Sequence, residues 1–153
     1  MKKSAGILLY KIENDILKFF LVHPGGPYFK NKEDGYWTIP KGEFKENEIP
    51  FEAALREFYE ETGTQLNGDF IELTPVKQKN RKLVFAWALE GEIEAENIVS
   101  NAFEMVWPPK SGKIQSFPEI DKGAWFDYET SIIKINSAQI ELINELIITI
   151  NKL

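Results

Sequence analysis

Three glutamates, Glu57, Glu60 and Glu61, share one face of a predicted helix. Because successive helical residues turn by about 100°, positions i, i+3 and i+4 fall within one sector of the helix surface. Their charges repel, at about 0.2–0.5 kcal/mol per pair on an exposed helix, so a positive group is expected nearby. Carboxylate oxygens without histidine or cysteine suit Mg²⁺ or Mn²⁺, and Mg²⁺ often shares its coordination with substrate phosphates. The alternative interpretation is a solvated acidic helix face.

Arg56 supplies a positive charge within the same stretch. It lies one helical turn from Glu52 and from Glu60. Glu48 precedes the helix, where its carboxylate can fold back onto the guanidinium. A planar guanidinium holds a carboxylate in a fixed orientation, so this pair would join the loop to the helix. Gly42 is predicted where the backbone approaches a metal or a phosphate closely, and the Lys41 carbonyl is a further candidate oxygen ligand.

The full spacing is more specific than the three glutamates alone. It consists of glycine, five residues, glutamate, seven residues, and then Arg-Glu-apolar-any-Glu-Glu-any-Gly, met at Gly42, Glu48, Arg56, Glu57, Phe58, Glu60, Glu61 and Gly63. This pattern resembles the Nudix box, and the order of strands and final helix is similar to a Nudix domain across nearly the whole chain. One departure is Thr64, where the family usually has an aliphatic residue.

The resemblance implies an α/β fold, a Nudix-type α/β/α sandwich with a mixed β-sheet in which the box forms a loop, a helix and a loop. It also implies a hydrolase that cleaves a phosphoanhydride bond in a nucleoside diphosphate linked to another group. Glu57, Glu60 and Glu61 would hold Mg²⁺, with Mn²⁺ as the alternative and the Lys41 carbonyl as a further ligand. Glu57 and Glu60 would be catalytic, and the ion pair between loop and helix would be structural.

Nudix proteins often take a further catalytic carboxylate from a loop that precedes a strand with a tryptophan. The stretch 117–125 is similar to that region. We favour Glu119 over Asp121 or Glu104 as the general base or an additional ligand. The alternative interpretation is an acidic surface loop, because the tertiary fold, and not the local sequence, decides how far these carboxylates lie from the metal.

Candidates for substrate contact lie in or beside predicted loops: His23, Tyr28, Lys41, Lys79 and Arg81. Histidine is the side chain that most readily changes charge near neutral pH, so a general base is one interpretation of His23. Beside Pro24-Gly25-Gly26, the preferred interpretation is that it orders the loop or touches substrate. The basic stretch 77–82 either meets substrate phosphates or forms a solvated hairpin tip.

The residues before the box indicate the substrate class. Pro40-Lys41-Gly42 is more similar to the Pro-Lys-Gly of asymmetric dinucleoside tetraphosphate and diphosphoinositol phosphate hydrolases than to the Gly-Gly of nucleotide-pool sanitisers. A dinucleoside polyphosphate such as Ap4A is therefore favoured, since inositol pyrophosphates would require a richer basic lining. A (deoxy)nucleoside triphosphate pyrophosphohydrolase is the enzymatic alternative, and a non-catalytic nucleotide-binding Nudix domain is the alternative from another class.

These side chains must be positioned by a sheet and at least two helices. Apolar periodicity predicts a helix from Pro50 to Thr62, with Phe51, Leu55, Phe58 and Thr62 as its buried stripe and Gly63 as its left-handed end. A hairpin is expected within residues 6–23, and strands at 36–39, 70–76, 83–89 and 103–107, with an irregular connection at 41–49. Asn136 or Ser137 is expected to cap a final helix whose isoleucines line one face.

Composition limits the remaining function classes. The 153 residues, 43% of them hydrophobic and 27% charged, predict one domain spanning 1–153. A net charge of −6 argues against binding duplex nucleic acid, and zero cysteines and one histidine exclude disulfide scaffolds and sites built from thiolates or several imidazoles. Without a signal peptide or membrane span, a cytoplasmic location is expected. Exposed aromatic residues would suit either a nucleobase or a dimer interface, so the oligomeric state stays open.

Overall fold

A mixed six-stranded β-sheet forms the centre of the computed structural model, which describes residues 1–79 and 81–152. In chain order, the elements are β1 (Lys2–Glu13), β2 (Ile16–Pro24), β3 (Lys41–Glu43), α1 (Pro50–Thr62), β4 (Ile71–Gln78), β5 (Lys82–Glu90), β6 (Ala102–Val106), β7 (Ile114–Pro118), β8 (Ile120–Asp127), α2 (Tyr128–Lys134) and α3 (Ile140–Asn151). Short 3₁₀ turns span Ala95–Asn97 and Ser137–Gln139. Among these described helices, none combines the length and the apolar character needed to cross a membrane.

The sheet opens between β1 and β2 to admit the start of the box. Its strand order is β4-β5-β1-β2-β8, with β1 and β5 parallel, and β3 pairs with β1 in addition. β1 and β2 pair with each other only near their connecting turn, from Tyr10 to Glu13. Further from the turn, Gly42 pairs with Ala5 of β1, and the segment before β3 bridges to β2. The start of the box is therefore held between two strands, and the predicted mixed sheet is confirmed.

Alternating side chains of β1 supply two hydrophobic cores on opposite faces of the sheet. Leu8 and Tyr10 belong to the core that contains the buried residues of α3, whereas Ile7 and Leu9 belong to the core that contains Phe58 of α1. This division follows from the two-residue period of a strand, whose side chains point to alternate faces. Helices on both faces of a mixed sheet confirm the predicted α/β/α sandwich.

The bounds of α1 agree with the prediction, and its ends have the expected chemistry. Ile49 provides no side-chain cap, while Pro50 occupies the first helical turn, where its missing N–H costs nothing. The helix ends at Gly63, whose φ of 79° is left-handed and whose N–H donates to the Tyr59 carbonyl at 2.7 Å. Glycine adopts this conformation without the steric cost that a Cβ would add.

The buried face of α1 differs from the predicted stripe. Phe58 and Thr62 are buried as expected, but Phe51 and Leu55 are only half-buried, and Ala53 and Ala54 lie in the core instead. The two alanines let the helix approach the sheet closely. As a result, the helix is rotated so that Glu57 and Glu61 also become buried, although both were expected on a separate acidic face.

Several elements differ from the sequence expectations. The strand expected at 36–39 is reduced to isolated bridges at Trp37 and Thr38, and part of the connection expected to be irregular, 41–49, forms β3. The basic stretch 77–82 was expected to join two strands, but its first two residues belong to β4 and its last to β5. Strand β7 and helix α2 were not predicted, because both are short and their pattern carries little periodicity.

Replacing Phe58 tests the contribution of this packing. Its side chain is fully buried, with its ring centroid 6.2 Å from that of Phe20. We expect Phe58→Ala to lower the free energy of unfolding by about 3–5 kcal/mol, measured by urea denaturation, because the change leaves a cavity. Tyr59→Ala, on the exposed side of the same helix, is the matched control and should cost about 1 kcal/mol or less. Equal losses in both variants would contradict the packing described.

Candidate active site

Two carboxylates of α1 are packed against the backbone of β3. Glu57 and Glu61 are only 7% and 8% exposed, and the Lys41 N–H donates to Glu61 Oε1 at 3.2 Å. A Cβ built on Gly42 would lie 2.0 Å from Glu57 Oε2, so no other residue type fits there without displacing the carboxylate. Gly42 was predicted to allow close approach of a metal or a phosphate. The group that approaches it in the structure is the carboxylate of Glu57.

Arg56 neutralises part of this acidic group. Its Nη1 donates to Glu57 Oε1 at 3.0 Å and to both carboxylate oxygens of Glu60 at 3.2 Å. Its Nε and Nη2 donate to Glu48 Oε2 at 3.2 and 3.0 Å, which is the loop-to-helix pair that the sequence predicts. The Lys45 N–H also donates to Glu48 at 3.1 Å. One guanidinium therefore connects the box loop to two of the three clustered glutamates.

Burial and mutual repulsion raise the pKa values of Glu57 and Glu61. Burial, reinforced by the charge of Glu57, raises the pKa of Glu61 to about 8. The pKa of Glu57 is raised by its burial and then by the charge of Glu60. The charge of Glu119 is a further, smaller contribution in the same direction to both pKa values. Glu57 and Glu61 bind protons more tightly than exposed glutamates because their charged forms are poorly solvated.

The backbone of Asn101 links Glu119 to α1, a contact that the sequence did not indicate. The Asn101 N–H donates to the Glu60 carbonyl at 2.8 Å, and the Asn101 carbonyl accepts from the Glu119 N–H at 2.7 Å. One backbone residue thus fixes the turn between β7 and β8 to α1. Glu104, the other carboxylate considered for this role, is exposed on β6, and Asp121 binds His23 instead.

His23 is fully buried, which favours the interpretation that it orders the loop over the one that it touches substrate. Its Nε2 faces the Lys32 carbonyl oxygen, which can only accept, and its Nδ1 lies 2.8 Å from Asp121 Oδ1. The ring also packs edge-on against Trp37, with a centroid distance of 5.4 Å. Both ring nitrogens are therefore engaged by the protein, and the geometry leaves neither directed at a substrate.

A cavity beside the box has the size of a nucleotide site. This box cavity has a volume of about 610 Å³, within the range of ligand sites, and its lining includes Tyr36, Lys41, Lys79, Asn136 and Gln139. Gln139 is fully buried, and its side chain bonds to Thr38, Ile39 and Gln78. Sequence reasoning missed it because its partners lie about 60 to 100 residues away.

Two other candidates for substrate contact lie elsewhere. Tyr28 is 60% exposed and packs edge-on against Trp107, with ring centroids 5.3 Å apart, outside the box cavity. Arg81 sits at the tip of the turn between β4 and β5 with a φ of 58° and is exposed. Of the five candidates, Lys41 and Lys79 are therefore the two that line the box cavity.

The donor set fits a hard divalent cation, although the ligands are not yet gathered around one point. Among residues 1–79 and 81–152, no three carboxylate or imidazole groups are arranged to hold a metal ion. Arg56 donates to both Glu57 and Glu60, and burial raises the pKa of Glu61 to about 8. A cation bound among these carboxylates would meet oxygen ligands, which suit Mg²⁺ or Mn²⁺.

Proteins with the same architecture include nucleotide-binding Nudix domains. The crystal structure of a C. elegans Ap4A hydrolase binary complex covers all of both chains with a TM-score of 0.66 at 20% identity. The Nudix domain of Shewanella oneidensis NrtR, crystallised with ADP ribose, covers 95% of this chain and 87% of its own with a TM-score of 0.62 at 14% identity. At these identities, the likeness shows a shared fold.

Sequence comparison shows the family. The model of the NUDIX domain matches residues 2–146, so the chain belongs to the Nudix family. Rat (Rattus norvegicus) bis(5'-nucleosyl)-tetraphosphatase (asymmetrical) is 35% identical over 102 residues, which are 58% of this chain. The matched region spans 64% of the length of the rat protein.

Neutralising Glu61 should stabilise the protein in the absence of divalent metal. Because its pKa is raised from 4.5 to about 8 on folding, stability is lost as pH rises through this interval. Glu61→Gln removes the loss, since the amide stays neutral and can still accept from the Lys41 N–H. In chelator we expect a melting temperature about 3 °C above wild type near pH 8, and no difference near pH 5. A variant no more stable than wild type at the higher pH would contradict the buried charge.

Removing the His23 imidazole should loosen the loop that follows β2. His23→Ala loses the contacts to Asp121 and Lys32, and we expect unfolding to require about 1–3 kcal/mol less. Trypsin should then cleave faster within residues 24–36, and the cleavage rate can be measured by mass spectrometry of the fragments. Lys18→Ala, which removes an exposed ion pair to Glu13 away from this loop, is the control and should leave the cleavage rate near wild type. Equal rates for wild type and His23→Ala would rule out this anchoring.

Proposed function

We propose that this protein is a Mg²⁺-dependent hydrolase that cleaves a phosphoanhydride bond in a nucleoside diphosphate-linked substrate. The observation that supports this most strongly is the burial of Glu57 and Glu61 against β3, beside the box cavity that Lys41 lines. Glu60 shares the Arg56 guanidinium with Glu57, and the Glu119 backbone is tied to α1 through Asn101. Burying and crowding negative charge lowers the stability of the fold. Such costly arrangements are found mainly at functional sites. Membership of the Nudix family supports the same reaction class.

Glu57, Glu60 and Glu61 are proposed to hold the metal, with the Lys41 carbonyl as a further ligand. Nudix hydrolases generally use divalent metals. When bound, such a cation neutralises charge on the phosphate oxygens and lowers the pKa of water. On this proposal, Arg56 is a positioning residue, because it keeps both Glu57 and Glu60 in place while it anchors the loop through Glu48.

Glu119 is proposed as the general base. Burial and the charge of Glu60 raise its pKa, which makes its carboxylate a stronger proton acceptor than an exposed glutamate. Its backbone is fixed by Asn101 on one side and by the Gly25 N–H, at 2.8 Å, on the other. The carboxylate can thus take a proton from the attacking water while the turn keeps its position relative to α1.

Cations in the box cavity would bind the phosphates of the substrate. The chain as a whole carries a charge of −6, so an anionic substrate requires local positive charge. Lys41 and Lys79 supply it in the cavity, and Lys41 also lies beside Glu61 through its backbone. The Lys41 ammonium can therefore pair with the phosphate chain where the chain passes from the cavity to the clustered glutamates.

A dinucleoside polyphosphate of the Ap4A type is the substrate we propose. The Pro40-Lys41-Gly42 segment and the name of the rat relative both support this class. A (deoxy)nucleoside triphosphate pyrophosphohydrolase is the alternative that a substrate panel separates. Incubation with diadenosine tetraphosphate and with nucleoside triphosphates, in Mg²⁺, should give the higher kcat/KM for the former and unequal nucleotide products from it.

Glu60→Gln tests the reaction class. We expect hydrolysis in Mg²⁺ to fall by about 100-fold or more, because the variant loses a charged group of the proposed metal site while the fold stays intact by circular dichroism. Glu104→Gln is the matched control, since Glu104 is exposed on β6, and should retain the wild-type rate. Full activity of Glu60→Gln, or of wild type in chelator, would contradict the metal mechanism.

A further inference from the structure

A second cavity lies on the other side of the loop that follows His23. This hairpin cavity has a volume of about 460 Å³ and separates the loop from the hairpin of β6 and β7. Its apolar walls include Pro27, Trp107 and Phe117, and its polar residues are Lys30, Gln115 and Asp121. Apolar and aromatic walls with a few polar groups are typical of sites for planar ligands.

The backbone around this cavity is held in place by glycines and aromatic contacts. A Cβ on Gly25 would lie 2.0 Å from the Pro118 carbonyl oxygen, and one on Gly26 would lie 2.8 Å from the Phe103 ring. Glycine at both positions therefore lets the loop press against the hairpin. The Gln115 amide also donates to the Trp107 carbonyl at 2.8 Å, which braces the end of the hairpin.

Each cavity is lined by a residue next to one of the clustered glutamates. The box cavity is lined by Lys41, whose N–H bonds Glu61. The hairpin cavity is lined by Pro118 and Asp121, which flank Glu119 in the chain. The loop between the cavities is itself tied to this turn by the bond from Gly25 to Glu119. A ligand with two aromatic groups joined by phosphates would therefore have one cavity for each group, on either side of the loop after β2.

We propose that the hairpin cavity binds the nucleobase of the second nucleoside, that is, the one opposite the box cavity. This inference rests on the proposed hydrolysis of a two-base substrate. Trp107 and Phe117 offer aromatic faces for stacking, which every base accepts. Lys30, Gln115 and Asp121 can bond to the base edge or the ribose. The Tyr28 ring, edge-on to Trp107, extends the aromatic wall outward.

Kinetics with a two-base and a one-base substrate test the assignment. Diadenosine tetraphosphate and adenosine 5'-tetraphosphate share the phosphate chain and differ in the second nucleoside. We expect Trp107→Leu to lower the ratio of their kcat/KM values, two-base over one-base, by about tenfold through a higher KM for the two-base substrate. Phe117→Leu should act in the same direction. Val106→Ala, a neighbour in β6 outside the cavity, should keep the wild-type ratio. An unchanged ratio in both cavity variants would overturn the proposal.

A binding experiment decides the cavity independently of catalysis. In ¹⁵N-labelled protein, the indole signal of Trp107 among the four tryptophans is identified by its absence in Trp107→Leu. We expect millimolar adenosine 5'-monophosphate to shift this signal and to leave that of Trp125, which bonds the Ile93 carbonyl, in place. Ribose 5-phosphate, which lacks the base, should shift neither. If neither tetraphosphate is hydrolysed, the proposed function fails, and an unmoved Trp107 signal would additionally overturn the base site.

Discussion

The burial of two carboxylates against the backbone of β3 is the constraint on which the site depends. Glu57 and Glu61 lie where a helix meets a strand, a position that globular proteins usually fill with apolar side chains. Burying charge costs free energy unless it is paired or neutralised. Here, the raised pKa of Glu61, the Arg56 guanidinium and the absence of a side chain at Gly42 make the arrangement tolerable. All three features act at the same contact between α1 and β3.

The sheet converts this local arrangement into a cleft. Because β1 and β2 diverge beyond Tyr10, the segment before β3 enters between them, and the backbone of Lys41 and Gly42 is presented to α1. The turn between β7 and β8, which carries Glu119, is tied to α1 through the backbone of Asn101. Residues from distant parts of the chain are thus fixed by strand pairing and backbone bonds, which hold atoms more rigidly than flexible side chains do.

The loop after β2 links the site to the rest of the surface. It is anchored through His23 to Asp121 and through Gly25 to Glu119, so it moves with the turn that carries the proposed base. It also forms a wall of both cavities. Such a loop is a natural place for substrate specificity, since it can change without altering the sheet or the box helix.

Sequence reasoning was most successful where the signal is local. The limits of α1, its glycine end and the pairing partners Glu48 and Arg56 all lie within one short segment, so spacing alone indicates their contacts. The rotation of α1 was not predicted, because it depends on which side chains the opposing strands allow. Asn101 and Gln139 were missed for a similar reason. Their bonds join segments far apart in the chain, and neither residue type marks itself as functional.

The burial of charge that the site requires can be measured directly by NMR titration of the glutamate carboxyl carbons in chelator and then in saturating Mg²⁺. The account predicts one carboxyl, assigned to Glu61 by its loss in Glu61→Gln, that titrates near pH 8 without metal. Its titration should move to markedly lower pH when Mg²⁺ is added, because a cation replaces the proton. Ordinary acidity of every glutamate without metal, together with no response to Mg²⁺, would contradict it.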